Sequence, residues 1–157
     1  MILYVDTSAL VKLYVVEEGR EVVEQAVEEA ELISTSVVAY AEARAALARK
    51  RREGIFSAEE HREAVDALNE DWETFEKPEV TEGIVRVAGD VAEEHALRGF
   101  DAIHLASALT VRAAASEKSE ESREAVFFLG FDSDLTRAAG QVMRTYEADG
   151  VPDEDRP

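Results

Sequence analysis

Four acidic side chains, Asp6, Glu42, Asp101 and Asp132, stand at places where a chain would gather them for one task. Asp6 follows the apolar run Ile2-Leu3-Tyr4-Val5, and Asp132 follows the apolar segment from Ala125 to Phe131. Asp101 opens a helical segment behind Gly99, while Glu42 stands out among Val38, Tyr40, Ala41, Ala43, Ala45 and Ala46. Four carboxylates within a few ångströms repel one another and raise each other's pKa values. A divalent cation relieves that repulsion, and an all-oxygen donor set suits Mg²⁺ or Mn²⁺. Such an ion beside a phosphodiester activates water and takes up negative charge, so phosphodiester hydrolysis is the chemistry these residues support. Each acid also has a plainer reading. Asp6 and Asp101 suit helix N-caps, Asp132 and Asp134 suit turn or cap positions, and Glu42 could be one more solvated glutamate. Their joint placement at strand ends and helix starts separates them from those readings.

The elements that must position these acids alternate between strand and helix. Ile2 to Val5 is a β-prone run that stops at Asp6-Thr7-Ser8, ahead of a helix from Ala9 to Val16 that ends near Gly19. Arg20 to Ala30 carries Val23, Ala26, Val27 and Ala30 on one helical stripe. Leu32 to Thr35 is a second strand, and Ser36 offers an N-cap for a long helix through Arg52, stopped by Gly54. Ser57 and Glu60 form a capping box. The helix they open runs to about Phe75 with His61, Val65, Leu68, Trp72 and Phe75 at spacings of four and three. Together these two helices form an αα-hairpin from Ser36 to Phe75, whose Ala-rich and aromatic stripes offer a platform for a partner.

Further on, Glu79-Val80-Thr81 fits a short strand, and Glu82 to Leu97 and Asp101 to Ala115 fit helices. Ser116 to Glu124 is a low-complexity patch expected to be a solvated loop. Ala125 to Phe131 is the strongest strand, Leu135 to Ala139 a short helix, and Gln141 to Tyr146 a last edge strand. Residues 1–148 then make a single domain, and the tail DGVPDEDRP from Asp149 is expected to be disordered. Apolar strands without polar alternation, separated by helices, predict an α/β fold with a short parallel sheet covered on both faces. Ligands of such sheets bind beyond the carboxyl ends of the strands, where the four acids fall.

Composition narrows the partners. The net charge of −18 argues against a generic basic nucleic-acid module and against a basic lipid-binding face. With no cysteine, disulfides, thiol catalysis and thiolate metal sites are excluded, so a metal must be held by oxygen or by one of three histidines. There is no apolar run of membrane-spanning length and no signal-peptide pattern at the start, which leads to the expectation of a soluble cytoplasmic protein. Arg44, Arg49, Lys50, Arg51 and Arg52 form the one basic cluster, readable as helix-dipole compensation or as a phosphate-binding patch. Lys12, six residues after Asp6, could reach a substrate phosphate or be a plain surface lysine. His104 follows Asp101 by three residues on one helix face and is expected to pack beneath the acids, while His61 and His95 lie outside any acidic constellation. A haloacid-dehalogenase-type phosphatase would need an aspartate at position 8, where Ser8 stands; a receiver domain lacks its acidic pair and acceptor, and no phosphate-binding glycine loop occurs.

Four blocks of the sequence resemble the PIN-domain ribonucleases, and within them the VapC-type toxins of toxin–antitoxin pairs. They are YVDTSALVKLY from Tyr4, TSVVAYAEARAAL from Thr35, LRGFDAIHLASAL from Leu97 and FLGFDSDLTRAA from Phe128, and their order covers the chain from Ile2 to Ala139. The resemblance implies that the family's four acidic metal-site positions are Asp6, Glu42, Asp101 and Asp132, supported by Ser8 or Thr7, of which Ser8 is preferred. Gly130 stands where many members carry a hydroxyl residue, and Asp134 adds a nearby acid. The resemblance further implies RNA cleavage with Mg²⁺ or Mn²⁺, a homodimer, and a cognate antitoxin that holds the enzyme inactive. Lys12, Arg44, Arg49 and Arg51 are then the candidate contacts to substrate. A different class of reading is a PIN-fold scaffold with little catalysis, acting through a protein partner.

Overall fold

A computed structural model describes residues 1–146. Among the described residues four strands make one parallel sheet in the order β2-β1-β3-β4: β1 (Ile2–Val5), β2 (Leu32–Ser34), β3 (Val126–Leu129) and β4 (Arg144–Thr145). The chain leaves β1 for β2 on one side and later returns to β3 on the other. This reversal beside β1 is the switch point at which doubly covered parallel sheets open a crevice.

Alternation along the strands divides the core. Tyr4, Val126 and Phe128 face one layer, with α5 (Glu82–His95), α6 (Gly99–Ser116) and α8 (Ser133–Val142). Leu3, Val5 and Leu129 face the other, with α1 (Thr7–Lys12), α2 (Arg20–Glu29), α3 (Val38–Arg52) and α4 (Ala58–Trp72). Leu3, Leu10, Leu47, Leu68 and Leu105 are fully buried, each contributing about 1.5–3 kcal/mol of burial. Both faces being covered explains why the strands read as apolar runs.

Local signals set several boundaries. Ser57 caps α4: its Oγ accepts from the Glu60 N–H at 3.1 Å, and the Glu60 carboxylate accepts from the Ser57 N–H at 2.7 Å. α3 ends in four consecutive basic residues, Arg49 to Arg52, placed against the negative end of its dipole. α3 and α4 pack as the expected hairpin.

Other boundaries differ from the expectations. The first helix covers Thr7–Lys12 rather than Ala9 to Val16; it starts two residues earlier because the Asp6 side chain caps it. Ser36 is no cap; it is fully buried beneath Ser107, and α3 begins without a side-chain cap at Val37. Residues 79–81 form no strand. The pairing beyond β2 is a single bridge from Ser34 to Glu76, and Thr81 instead caps α5 through the Ile84 N–H at 3.3 Å. Within the patch expected to be a loop, Ser119 caps a short helix α7 (Glu120–Glu124). α8 is longer than Leu135 to Ala139, and β4 is shorter than Gln141 to Tyr146. The aromatic stripe of the hairpin is largely internal, with Tyr40 packed on Trp72 at 5.2 Å between ring centroids and Phe75 buried. More apolar surface is exposed at Val85, Val87 and Phe100. The tail from Asp149 and its boundary at 148 lie outside the described residues. Among the described residues no helix is long and apolar enough to cross a membrane.

Candidate active site

β1 delivers Asp6 directly into the crevice. Its φ and ψ are still extended, while its Oδ1 accepts the Ala9 N–H at 2.9 Å and the Ser8 hydroxyl at 2.7 Å. Ser8 in turn accepts the N–H of Phe131 at 2.7 Å, which ties the end of β3 to the start of α1. Ser8 is thus the residue that supports the first aspartate. Thr7 does a different job, donating to Glu42 Oε2 at 2.7 Å.

β3 delivers Asp132 in the same manner. Asp132 caps α8, its Oδ1 accepting the N–H groups of Asp134 at 3.1 Å and Leu135 at 3.0 Å. Asp134 pairs outward with Arg137 at 2.9 Å. Asp101 is not a cap, since α6 begins at Gly99 behind Arg98; it sits in the first turn, where a negative charge is favoured by the positive helix end. Glu42 projects from α3, held by Thr7 and by His104 Nε2 at 2.9 Å.

All four acids line one cleft of about 650 Å³, together with Thr7, Ser8, Lys12, Glu17, His104 and Phe131. Asp6 and Asp132 both cap helices and both line the cleft, and capping occupies only one oxygen of each carboxylate. Asp6, Glu42 and Asp132 take their hydrogen bonds on Oδ1, Oε2 and Oδ1, and the second oxygen of each accepts none among the described residues.

The electrostatics follow from burial and crowding. Asp6 is 2 % exposed, and burial pushes its carboxyl above the usual 3.8; Ser8 and Ala9 pull it partly back, and Asp132 adds to the rise. Burial, then Asp132, also raises Asp101, with Arg98 opposing. Burial alone would raise Glu42, yet the bonds from His104 and Thr7 outweigh it and hold the carboxyl below 4.5.

An all-oxygen, acid-rich donor set with unused carboxylate oxygens fits a hard divalent cation. Among the described residues no group of three or more His, Asp or Glu closes into a ready cage, so the fit rests on donor chemistry rather than on a preformed shell.

The basic residues divide differently from expectation. Arg49, Lys50 and Arg52 line the cleft; Arg44 and Arg51 do not. Arg44 donates to the Tyr40 hydroxyl at 2.8 Å and lies over its ring, while Arg51 is exposed one residue too far round the helix. Lys12 lines the cleft but is engaged by Glu17 at 3.1 Å and by the Glu18 carbonyl at 2.7 Å, and Lys50 shares Glu17 at 2.8 Å. Those two lysines hold Glu17 below the usual carboxylate range. Arg49 and Arg52 have no ion pair among the described residues. His104 does more than pack beneath the acids: it bonds Glu42, Thr7 and Tyr4, and its signal in the sequence is a histidine three residues after Asp101 on an otherwise apolar helix.

A parallel sheet with acids at the carboxyl ends of β1 and β3 defines an α/β protein of the PIN class, and the PIN domain family model matches residues 3–141. The chain belongs to the PIN domain family. It is 37% identical over 110 residues to Ribonuclease VapC45 of Mycobacterium tuberculosis strain CDC 1551 / Oshkosh, covering 70% of this chain and 76% of that protein. It has the same identity and coverage with Ribonuclease VapC49 of Mycobacterium tuberculosis strain ATCC 25618 / H37Rv.

Proposed function

We propose that this chain is a divalent-metal-dependent endoribonuclease that hydrolyses RNA phosphodiester bonds as the toxin of a toxin–antitoxin pair. The observation that carries the reading is the convergence of Asp6, Glu42, Asp101 and Asp132 on one cleft whose rim holds Arg49 and Arg52. The family and the ribonuclease names of the two relatives supply the substrate class. Asp6, Glu42 and Asp101 would hold the ion, and Asp132 would complete the site or serve a second ion. Bound there, Mg²⁺ or Mn²⁺ supplies neutralisation of the crowded carboxylates and of the charge that develops on the phosphate oxygens.

The chain's own residues do the positioning. Ser8 and the Ala9 N–H fix Asp6, Thr7 and His104 fix Glu42, and the helix start of α8 fixes Asp132. Arg49 and Arg52 bind backbone phosphates flanking the bond to be cut, where a negative bulk charge would otherwise slow encounter. The reaction adds water to phosphorus and breaks the bond to the leaving ribose oxygen, which takes up a proton. Partners in this reading are RNA, a second copy of the chain and a cognate antitoxin, with the cytoplasm as its location. Exposed Val85, Val87 and Phe100 support an apolar protein contact.

The test is cleavage of structured RNA by purified protein with Mn²⁺ or Mg²⁺, beside Asp6→Asn and Asp101→Asn. Wild type cuts and both variants lose activity by at least about 100-fold, more than the loss of an outer-sphere partner gives. Equal cutting by all three would assign the activity to a contaminant and sink the proposal.

A further inference from the structure

The geometry points to His104 as the residue that positions the Glu42 carboxylate for cation binding, with Tyr4 and Thr7 deciding which imidazole nitrogen carries the proton. The inference rests on the reading of Glu42 as part of a divalent-ion site.

The donor–acceptor balance leaves one arrangement. His104 is buried, with Nε2 2.9 Å from Glu42 Oε2 and 3.0 Å from Thr7 Oγ1. An ionised carboxylate only accepts, so Nε2 carries a proton and donates. Thr7 has one hydroxyl proton and gives it to the same Oε2 at 2.7 Å, so its oxygen accepts from Nε2. That leaves Nδ1, which lies 3.2 Å from the Tyr4 hydroxyl. With the ring proton on Nε2, Nδ1 presents a lone pair, and the fully buried Tyr4 hydroxyl donates to it. The neutral ring is therefore the Nε2–H tautomer.

The relay is built on rigid parts. Tyr4 belongs to the central strand and stacks on Phe128 at 5.7 Å with a 16° tilt. It meets the His104 ring edge-on at 6.2 Å and 78°. Glu42 itself is only partly buried, its side chain 29 % exposed, and comes from α3 in the opposite layer. Nothing in α3 alone would keep a flexible glutamate turned inward. Both donors fall on Oε2, so Oε1 is left for the ion. Outer-sphere donors of this kind orient a ligating carboxylate and tune its affinity.

Mn²⁺ titration calorimetry on the whole chain tests the role without needing turnover. His104→Leu, which keeps bulk without a donor, weakens Mn²⁺ binding by about 10–100-fold. His104→Gln, whose amide N–H₂ can still donate to Oε2, recovers most of it. In a Glu42→Gln background His104→Leu has no further effect, because the residue acts through Glu42. If His104→Leu melts before titration, Tyr4→Phe carries the test, since it removes only a hydroxyl: weaker Mn²⁺ binding supports the relay and unchanged binding overturns it. Wild-type affinity in a folded His104→Leu protein overturns the role of His104, as does an equal loss in the Glu42→Gln background. Absence of Mn²⁺ uptake by wild type overturns the ion-site reading itself and this inference with it.

Discussion

A methyl group on Gly130 would stand 2.6 Å from Oδ2 of Asp6 and 2.8 Å from its Cγ. The backbone after β3 is therefore pressed against the carboxylate that β1 delivers. Ser8 bonds both sides of this contact, the Asp6 carboxylate and the Phe131 N–H. The glycine is a requirement of close approach, not of backbone conformation, since its φ is not positive.

Gly130→Ala is accordingly expected to displace the Asp6 carboxylate rather than to strain the turn. The added carbon would also meet Phe128 Cε1 at 3.0 Å, so neither neighbour gives way freely. Overpacking of this kind costs about 1–3 kcal/mol of stability, and loss of the carboxylate's position lowers activity by about 10–100-fold. Chemical denaturation and kcat/KM on one RNA measure both; a variant with wild-type values for each would refute the contact.

Asp6→Asn separates stability from function. Asparagine caps a helix about as well as aspartate, so the bond to the Ala9 N–H survives. The folded pKa of Asp6 lies above the usual 3.8, so the native state holds that proton to higher pH than the unfolded chain does. Its ionisation therefore lowers metal-free stability as pH rises from 3.8 through the folded value, and the penalty persists above it. Glu42 works with the opposite sign, adding stability above 4.5 that is lost as pH falls through its depressed folded value, but it is common to both proteins. Metal-free melting should show the asparagine variant gaining on wild type as pH rises above 3.8, with the gain levelling off once Asp6 is ionised in the folded state. Mn²⁺ should raise the wild-type melting temperature more than the variant's. A difference that shrinks with pH would contradict this.

Arg49 and Arg52 should set the salt dependence of RNA binding. In an Asp101→Asn background, each arginine changed to alanine makes the slope of log affinity against log salt shallower by about 0.7 for single-stranded RNA. Arg51→Ala, whose side chain lies off the cleft, leaves the slope in place. Fluorescence anisotropy across a salt series distinguishes the positions, and equal effects of all three would deny the cleft its role in phosphate contact.

Ser57→Ala is the counterpart that touches stability alone. It removes the side-chain half of the capping box at the start of α4, far along the chain from the acids. The expected cost is about 1 kcal/mol in denaturant unfolding with unchanged cleavage. A matching fall in kcat/KM would mean that α4 reaches the site.

The fold class was legible because both faces of the sheet are covered, which turns β1 and β3 into short apolar runs bounded by Asp6 and Asp132. The placement of Asp6, Asp101 and Asp132 was legible for the same reason, at strand ends and a helix start, whereas Glu42, inside α3, stood out only as a carboxylate among apolar neighbours. Less visible were features decided by a neighbour distant in sequence. Val80 looks β-prone, but pairing beyond β2 occurs at Glu76, where the backbone meets Ser34. Ser119 can cap only because the chain turns helical at Glu120, a choice hidden in a polar run.

By itself, then, the sequence determined the layers, the order of the strands' acidic ends and the hairpin, all set by periodicity and capping within a dozen residues. Only tertiary structure decided which basic residues face the acids, since one step along α3 turns Arg51 away and brings Arg52 in. Tertiary packing also assigned Thr7 to Glu42 and Ser8 to Asp6, and joined Tyr4, His104 and Glu42 across 100 and 62 residues of chain. Hydrogen bonds of that range depend on where two layers meet across the sheet, and no local pattern carries that information.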